Sequence, residues 1–225
     1  VTTIPNAAAT PRRNALIIWS VVFLGVLVWS SIEPKDRLTW WLEVGPALIA
    51  AAVLAATMRR FPLTRLVYWL ILAHAIVLMV GGHYTYAEVP LFDWLREPFG
   101  WERNNYDKVG HFMQGFVPAL IARELLLRLT PLTRGAWLNY LVVSAVLAIS
   151  AFYELIEWWV ALLSKTAADA FLGTQGYVWD TQSDMAWALF GAVVCIVLLA
   201  RRHDEQLAAL LGTNGATGPT RPSSG

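Results

Sequence analysis

Apolar runs long enough to cross a bilayer recur six times along this chain, and no other feature restricts its fold so severely. A transmembrane helix needs roughly 20 such residues, whereas a barrel strand needs only ~10 with alternating polarity. The runs cover about 15–32, 40–58, 66–82, 108–129, 136–163 and 184–200, and each is continuous. The expected fold is therefore all-α: a polytopic membrane protein, a bundle of about six transmembrane helices. The last helix is expected to continue past the membrane to Leu211. Charged residues make up 15% of the 225 residues, against roughly 25% in soluble domains. A net charge of +1 without a basic block gives no reason to expect a nucleic-acid partner. The expected partners are the lipid bilayer and a lipid or lipid-linked ligand.

Three regions follow: an N-terminal segment at 1–13, a six-span domain at 14–211, and a Gly/Pro/Ser/Thr-rich tail at 212–225 expected to be disordered. Arg12 and Arg13 precede the first run as in a signal peptide. That run is long for one and no small-residue cleavage site is followed by a soluble domain, so it reads as a span. Cys195, the sole cysteine, reads as a small buried hydrophobe.

If six spans alternate, Arg12, Arg13, Arg59, Arg60, Arg65, Arg123, Arg128, Arg134, Arg201 and Arg202 share one side. Lys35, Arg37, Arg96, Arg103, Lys108 and Lys165 share the other, with most of the acids. By the positive-inside rule both termini are expected in the cytoplasm, and the loop 83–106 outside.

Charges within or bordering a span cost ~2.5–3.5 kcal/mol each on insertion scales, so each requires a reason. Asp107, Lys108, His111 and Gln114 open the fourth span, with Asp107, His111 and Gln114 on one helical face. Glu154 and Glu157 share a face of the fifth span beside Tyr153, and Asp180 and Asp184 open the sixth. Alternation brings all three groups to the outer half of the bilayer. Asp107 and Asp180 can equally act as helix caps; Glu154 and Glu157 lie late in a helix, where the dipole disfavours acids.

Two chemistries suit this set. In one, His111, Glu154, Glu157, Asp180 and Asp184 form a catalytic set that binds a divalent metal, with His111, Glu154 and Asp184 the first candidates as ligands; mixed imidazole and carboxylate ligands suit zinc, manganese or iron, and carboxylates alone suit magnesium or calcium. Arg103 and Lys108 would hold an anionic group, and Asp107, Gln114, His83 and Tyr153 would contact substrate. In the other, the same groups relay protons or cations without breaking a bond. A third possibility is a structural partner of another membrane protein. His74 reads as a packed histidine, His203 as lying beyond the membrane, Glu124 and Arg128 as a local pair, and the turn 173–176 as a re-entry lacking the Lys-Ser/Thr of a phosphate loop.

The stretches Arg103-Asn104-Asn105-Tyr106-Asp107-Lys108-Val109-Gly110-His111-Phe112, Phe152-Tyr153-Glu154-Leu155-Ile156-Glu157-Trp158, Gly173-Thr174-Gln175-Gly176 and Trp179-Asp180-Thr181-Gln182-Ser183-Asp184-Met185 resemble the bacterial inner-membrane YjdF family, as does the loop 82–90. That resemblance implies a multi-pass protein of the bacterial inner membrane and names no reaction. A fainter pattern of Asp107, Lys108, His111, Glu154, Asp184 and Gly191 is similar to VanZ-like proteins, associated with glycopeptide (teicoplanin) resistance. Glu157 stands where those proteins often have Gln, and Ala188 where they often have Asn.

Overall fold

The computed structural model describes residues 9–163 and 178–215. Seven helices account for nearly all of them: α1 (Ala9–Ser31), α2 (Arg37–Thr57), α3 (Arg65–Tyr84), α4 (Pro90–Phe99), α5 (Tyr106–Leu129), α6 (Ala136–Leu163) and α7 (Asp180–Gly215). No strand occurs among the described residues. The Gly173–Gly176 turn and Lys165 lie outside them. Residues 212–215, expected in the tail, belong to α7, which runs to Gly215; the rest of the expected tail lies outside the described residues.

Five helices, α1, α2, α3, α6 and α7, are long and apolar enough to cross a membrane. The fourth expected span, α5, has the length but too many polar groups. The bundle compensates by burying it: α5 packs against α7 more extensively than any other helix pair meets, and also against α3 and α6. The periphery is the reverse. Leu16, Ile17, Val21, Leu24 and Val28 of α1 are exposed on the protein surface, where only lipid would solvate them.

Local sequence fixes the helix ends. Asp36 Oδ1 accepts from Thr39 N–H at 2.7 Å and caps α2. Pro90 starts α4, and Gly100, at φ 64°, ends it with its N–H on the Arg96 and Glu97 carbonyls. The loop 83–106 thus contains a helix that the span reading left out.

Contacts establish the alternation. At one end, Lys35 N–H donates to the His83 carbonyl and Trp40 Nε1 to Ser30 Oγ, joining α1, α2 and α3. At the other, Thr64 before α3 bonds Glu124 of α5, and Gln206 of α7 accepts from Leu66 N–H. α5 and α7 run parallel: Arg103, just before α5, meets Asp180, His111 meets Asp184, and Arg123 meets Asp204. Between them Gly115 lies against the Ala188 backbone and Gly191 against that of Phe112, so tightly that a Cβ at either glycine would land on a carbonyl oxygen. This is small-residue packing, which lets helix backbones touch where lipid offers no hydrophobic incentive.

Two apolar cores fill the bundle. Phe23, Trp40, Val44, Leu72 and Met79 join α1, α2 and α3. Val117, Leu120, Leu138, Val142, Ala192 and Cys195 contribute to the other, around α5. Cys195 is fully buried there.

Candidate functional site

Between the cores lies a cavity of about 280 Å³. Its apolar wall includes Ala47, Ala50, Ile71, Val117, Ile121 and Ile149, and its polar wall includes Glu43, Asp107, His111, Gln114, Glu157, Asp180 and Asp184. Pro46 and Pro118 also line it. Each lacks an N–H inside a helix and so frees a carbonyl one turn back.

The ionisable groups singled out in the last three spans converge. His111 Nε2 stands 3.6 Å from Asp184 Oδ2. His111, Glu154 and Asp184 each offer one ligand atom within 4.8 Å of the other two. Gln114 Oε1 lies 3.2 Å from His111 Nδ1; as the acceptor there, it fixes the ring so that Nε2 faces the carboxylates. Glu154 and Asp184 are 8% and 3% exposed, and Glu154 Oε1 and Asp184 Oδ1 have no hydrogen-bond partner among the described residues. Buried acceptors without a partner are costly, and two neighbouring carboxylates that each carry one have the composition of a binding site.

A second trio, Asp107, Asp180 and Asp184, is equally close. Here a cation is already in place. Arg103 donates to Asp107 Oδ2 and to Asp180 Oδ1, each at 2.9 Å. Asp107 stands at the second position of α5, behind the N-cap Asn105, and its Oδ1 accepts from the first-turn Lys108 N–H at 2.8 Å; Asp180 is the first residue of α7 and its Oδ1 accepts from Arg103.

The remaining candidates divide. Glu157 and Tyr153 line the cavity; Lys108 is half-buried and does not. His83 turns away: its Nδ1 meets the Ser30 carbonyl at 3.1 Å and its ring lies against Trp29 and Tyr84. The cause is the chain reversal after α3, where Thr85 and Tyr86 take left-handed φ of 61° and 55°. Non-glycine residues there cost of order 1–3 kcal/mol each and cluster at functional sites. The reversal puts Tyr86, not His83, into the cavity wall, its ring packed against Gly81 and Gly110, where any Cβ would collide with it.

Two cavity residues escaped the sequence reading. Glu43 of α2 is 8% exposed and is hydrogen-bonded by Tyr153, at 3.2 Å, and by Tyr86. Its signal was available, since Glu43 is an acid inside a hydrophobic run. His74 is no simple packing residue: it lines the cavity, and its Nε2 has no hydrogen-bond partner among the described residues.

A separate polar cluster closes the opposite end. His203, expected beyond the membrane and apart from the His111 cluster, is fully buried at this end, its Nδ1 2.9 Å from Arg123 Nη1 and its Nε2 3.1 Å from Glu124 Oε2. The Glu124–Arg128 pair exists at 2.8 Å and is part of this network.

A bundle of membrane-spanning helices enclosing a buried histidine–carboxylate site defines the class: a multi-pass helical membrane protein with an internal polar centre. Residues 15–205 match the family described as "Predicted membrane protein (DUF2238)", and the chain belongs to that family. It is also 54% identical over 182 residues to inner membrane protein YjdF of Escherichia coli (strain K12), a match covering 81% of this chain and 87% of that protein. No solved structure matches. The fainter likeness to VanZ-like proteins gains no support from these comparisons. The structure also gives Ala188 its own packing role against Gly115.

Proposed function

We propose that the protein is a metal-dependent membrane protein of the bacterial inner membrane that acts on a lipid-linked substrate, with His111, Glu154 and Asp184 as the metal ligands. The supporting observation is the grouping of His111, Glu154 and Asp184, each with one ligand atom within 4.8 Å of the other two, together with one buried oxygen on each carboxylate that lacks a hydrogen-bond partner among the described residues. An ion with bonds of ~2.1 Å holds tetrahedral ligands roughly 3.4 Å apart. The trio spans up to 4.8 Å, so binding requires side-chain rotations of about an ångström. The second trio is not the metal site in this scheme, because Arg103 neutralises Asp107 and Asp180.

The positive-inside rule places both termini in the cytoplasm and the cavity's polar wall on the outer side. A substrate's apolar portion would then occupy the wall of Ala47, Ala50 and Ile71 while its head meets the ion. The ion would polarise a phosphoryl or carbonyl oxygen and activate water. Glu157 and Asp180 would accept the water's proton and return one to the leaving oxygen, and Arg103, held at the polar wall by Asp180, would orient an anionic head. The rival transporter reading needs a path to the other end of the bundle, where Glu124, His203, Arg123 and Asp204 close it.

Native mass spectrometry of the detergent-purified protein tests the proposal. The expected result is a chain carrying one divalent ion and an amphiphile; Ala75→Phe, which fills the cavity, loses the amphiphile and keeps the ion. Protein carrying neither would overturn it.

A further inference from the structure

The helix between the third and fourth long helices presents a surface that no described residue covers. No residue of α4 is buried. Leu91 is 56%, Trp94 75% and Phe99 63% exposed. At 100° per residue, Leu91, Trp94, Leu95, Pro98 and Phe99 fall on one side of the helix, and Asp93, Arg96 and Glu97 on the other.

We infer that α4 is an interfacial helix. It lies in the headgroup layer of the bilayer on the side that holds the cavity, with Leu91, Trp94 and Phe99 in the acyl boundary. Three observations identify lipid as the occupant. First, α4 connects two helices that traverse the bundle, joining the end of α3 to the start of α5 on the cavity's side. Second, exposed tryptophans lie at that same level on other helices: Trp29 near the end of α1, Trp41 at the start of α2, Trp158 and Trp159 late in α6, and Trp179 just before α7. Such a ring is the aromatic belt of a membrane boundary, and the apolar side of α4 is continuous with it in level. Third, the pattern is that of helices lying on a membrane: a strongly apolar side, a charged side and low overall hydrophobicity.

The helix is also fixed to the site. Asn104 Nδ2 donates to the Val89 carbonyl and to Asp93 Oδ1, both at 3.0 Å, clamping the two ends of the loop together. Phe92 packs edge-on against Tyr106 with ring centroids 5.3 Å apart, and Tyr106 precedes Asp107. Headgroup-level anchoring of α4 therefore sets the position of the cavity's mouth relative to the lipid surface.

Single cysteines at positions 91, 93, 94 and 97, introduced into Cys195→Ala, can be spin-labelled and reconstituted in vesicles of phosphatidylcholine and phosphatidylglycerol. Collision with oxygen, which concentrates in lipid, and with a water-soluble nickel chelate, then reports depth. The expected ratio of oxygen to nickel accessibility is several-fold higher for Leu91→Cys and Trp94→Cys than for Asp93→Cys and Glu97→Cys. High nickel accessibility at all four positions would make α4 a solvent helix and refute the inference. Protection from both reagents would place a protein partner there, with the same consequence. The unsubstituted protein supplies a second readout: in nanodiscs Trp94 should resist hydroxyl-radical oxidation, and heavy oxidation would overturn the inference.

Discussion

Replacing Glu124 by Ala is expected to be among the most damaging single changes to this bundle. The carboxylate is fully buried. It accepts from Thr64 N–H at 3.1 and 3.2 Å and from Thr64 Oγ1 at 2.9 Å. It also receives Arg128 at 2.8 Å and His203 at 3.1 Å. Truncation strands these donors. Arg128, with a side chain 9% exposed, would keep only the Pro62 carbonyl at 2.7 Å and the face of Phe61. Removing one partner of a buried ion pair costs ~3–5 kcal/mol, because the other charge is left uncompensated. Glu124→Gln keeps the shape and one acceptor, and should lose about 1.5–3 kcal/mol, the worth of a hydrogen bond to a charged group. Arg134→Ala serves as the control: that side chain is 56% exposed although it reaches Asp204 at 2.9 Å, and surface pairs contribute ~0–1 kcal/mol. Equilibrium unfolding in mixed micelles, titrated with a denaturing detergent, gives all three values. A Glu124→Ala protein within ~1 kcal/mol of the parent would refute the assignment of this network as the clamp between α3, α5 and α7.

Three further outcomes follow from the geometry. Gly115→Val should destabilise the bundle by at least the ~1–3 kcal/mol typical of overpacking, since its Cβ meets the Ala188 carbonyl; thermal unfolding in detergent measures it, and an unchanged midpoint would contradict the contact. Glu43→Leu removes the acceptor of Tyr153 and Tyr86, and should cost about 1–3 kcal/mol for the donors left unpaired, visible as altered tyrosine ultraviolet resonance Raman bands and a lowered unfolding midpoint. Arg103→Ala frees Asp107 and Asp180, and should raise the divalent-ion capacity above that of the parent; equilibrium dialysis with manganese would show no added binding if Arg103 does not occupy that trio.

The sequence displayed the spans because each is a continuous apolar run, a local property. It also displayed the histidine–carboxylate cluster, because Asp107 with His111, Glu154 with Glu157, and Asp180 with Asp184 are each helical neighbours. What it concealed depends on non-local contact or on shortness. Glu43 has no acidic neighbour one turn away, and its partners come from α6 and from the reversal after α3. His203 follows Arg201 and Arg202, a sign of water, yet the side-chain contacts between α5 and α7 continue to Asp204, and that one face is buried. His83, expected to contact substrate, meets Ser30 and Trp29 instead, and it is Tyr86, one of two left-handed residues that turn the chain between α3 and α4, that lines the cavity. Helix α4 was legible in Pro90, Gly100 and the apolar spacing between them, but a search for spans passes over ten residues.

The most direct test of the central claim is elemental analysis of the purified protein for all first-row divalent metals, with and without chelator dialysis. The expected result is close to one ion per chain in the parent, lost in His111→Ala and in Asp184→Asn and retained in His83→Ala, whose ring faces α1. Metal-free parent protein that takes up no added zinc, manganese or iron would contradict the account, as would binding that survives both substitutions.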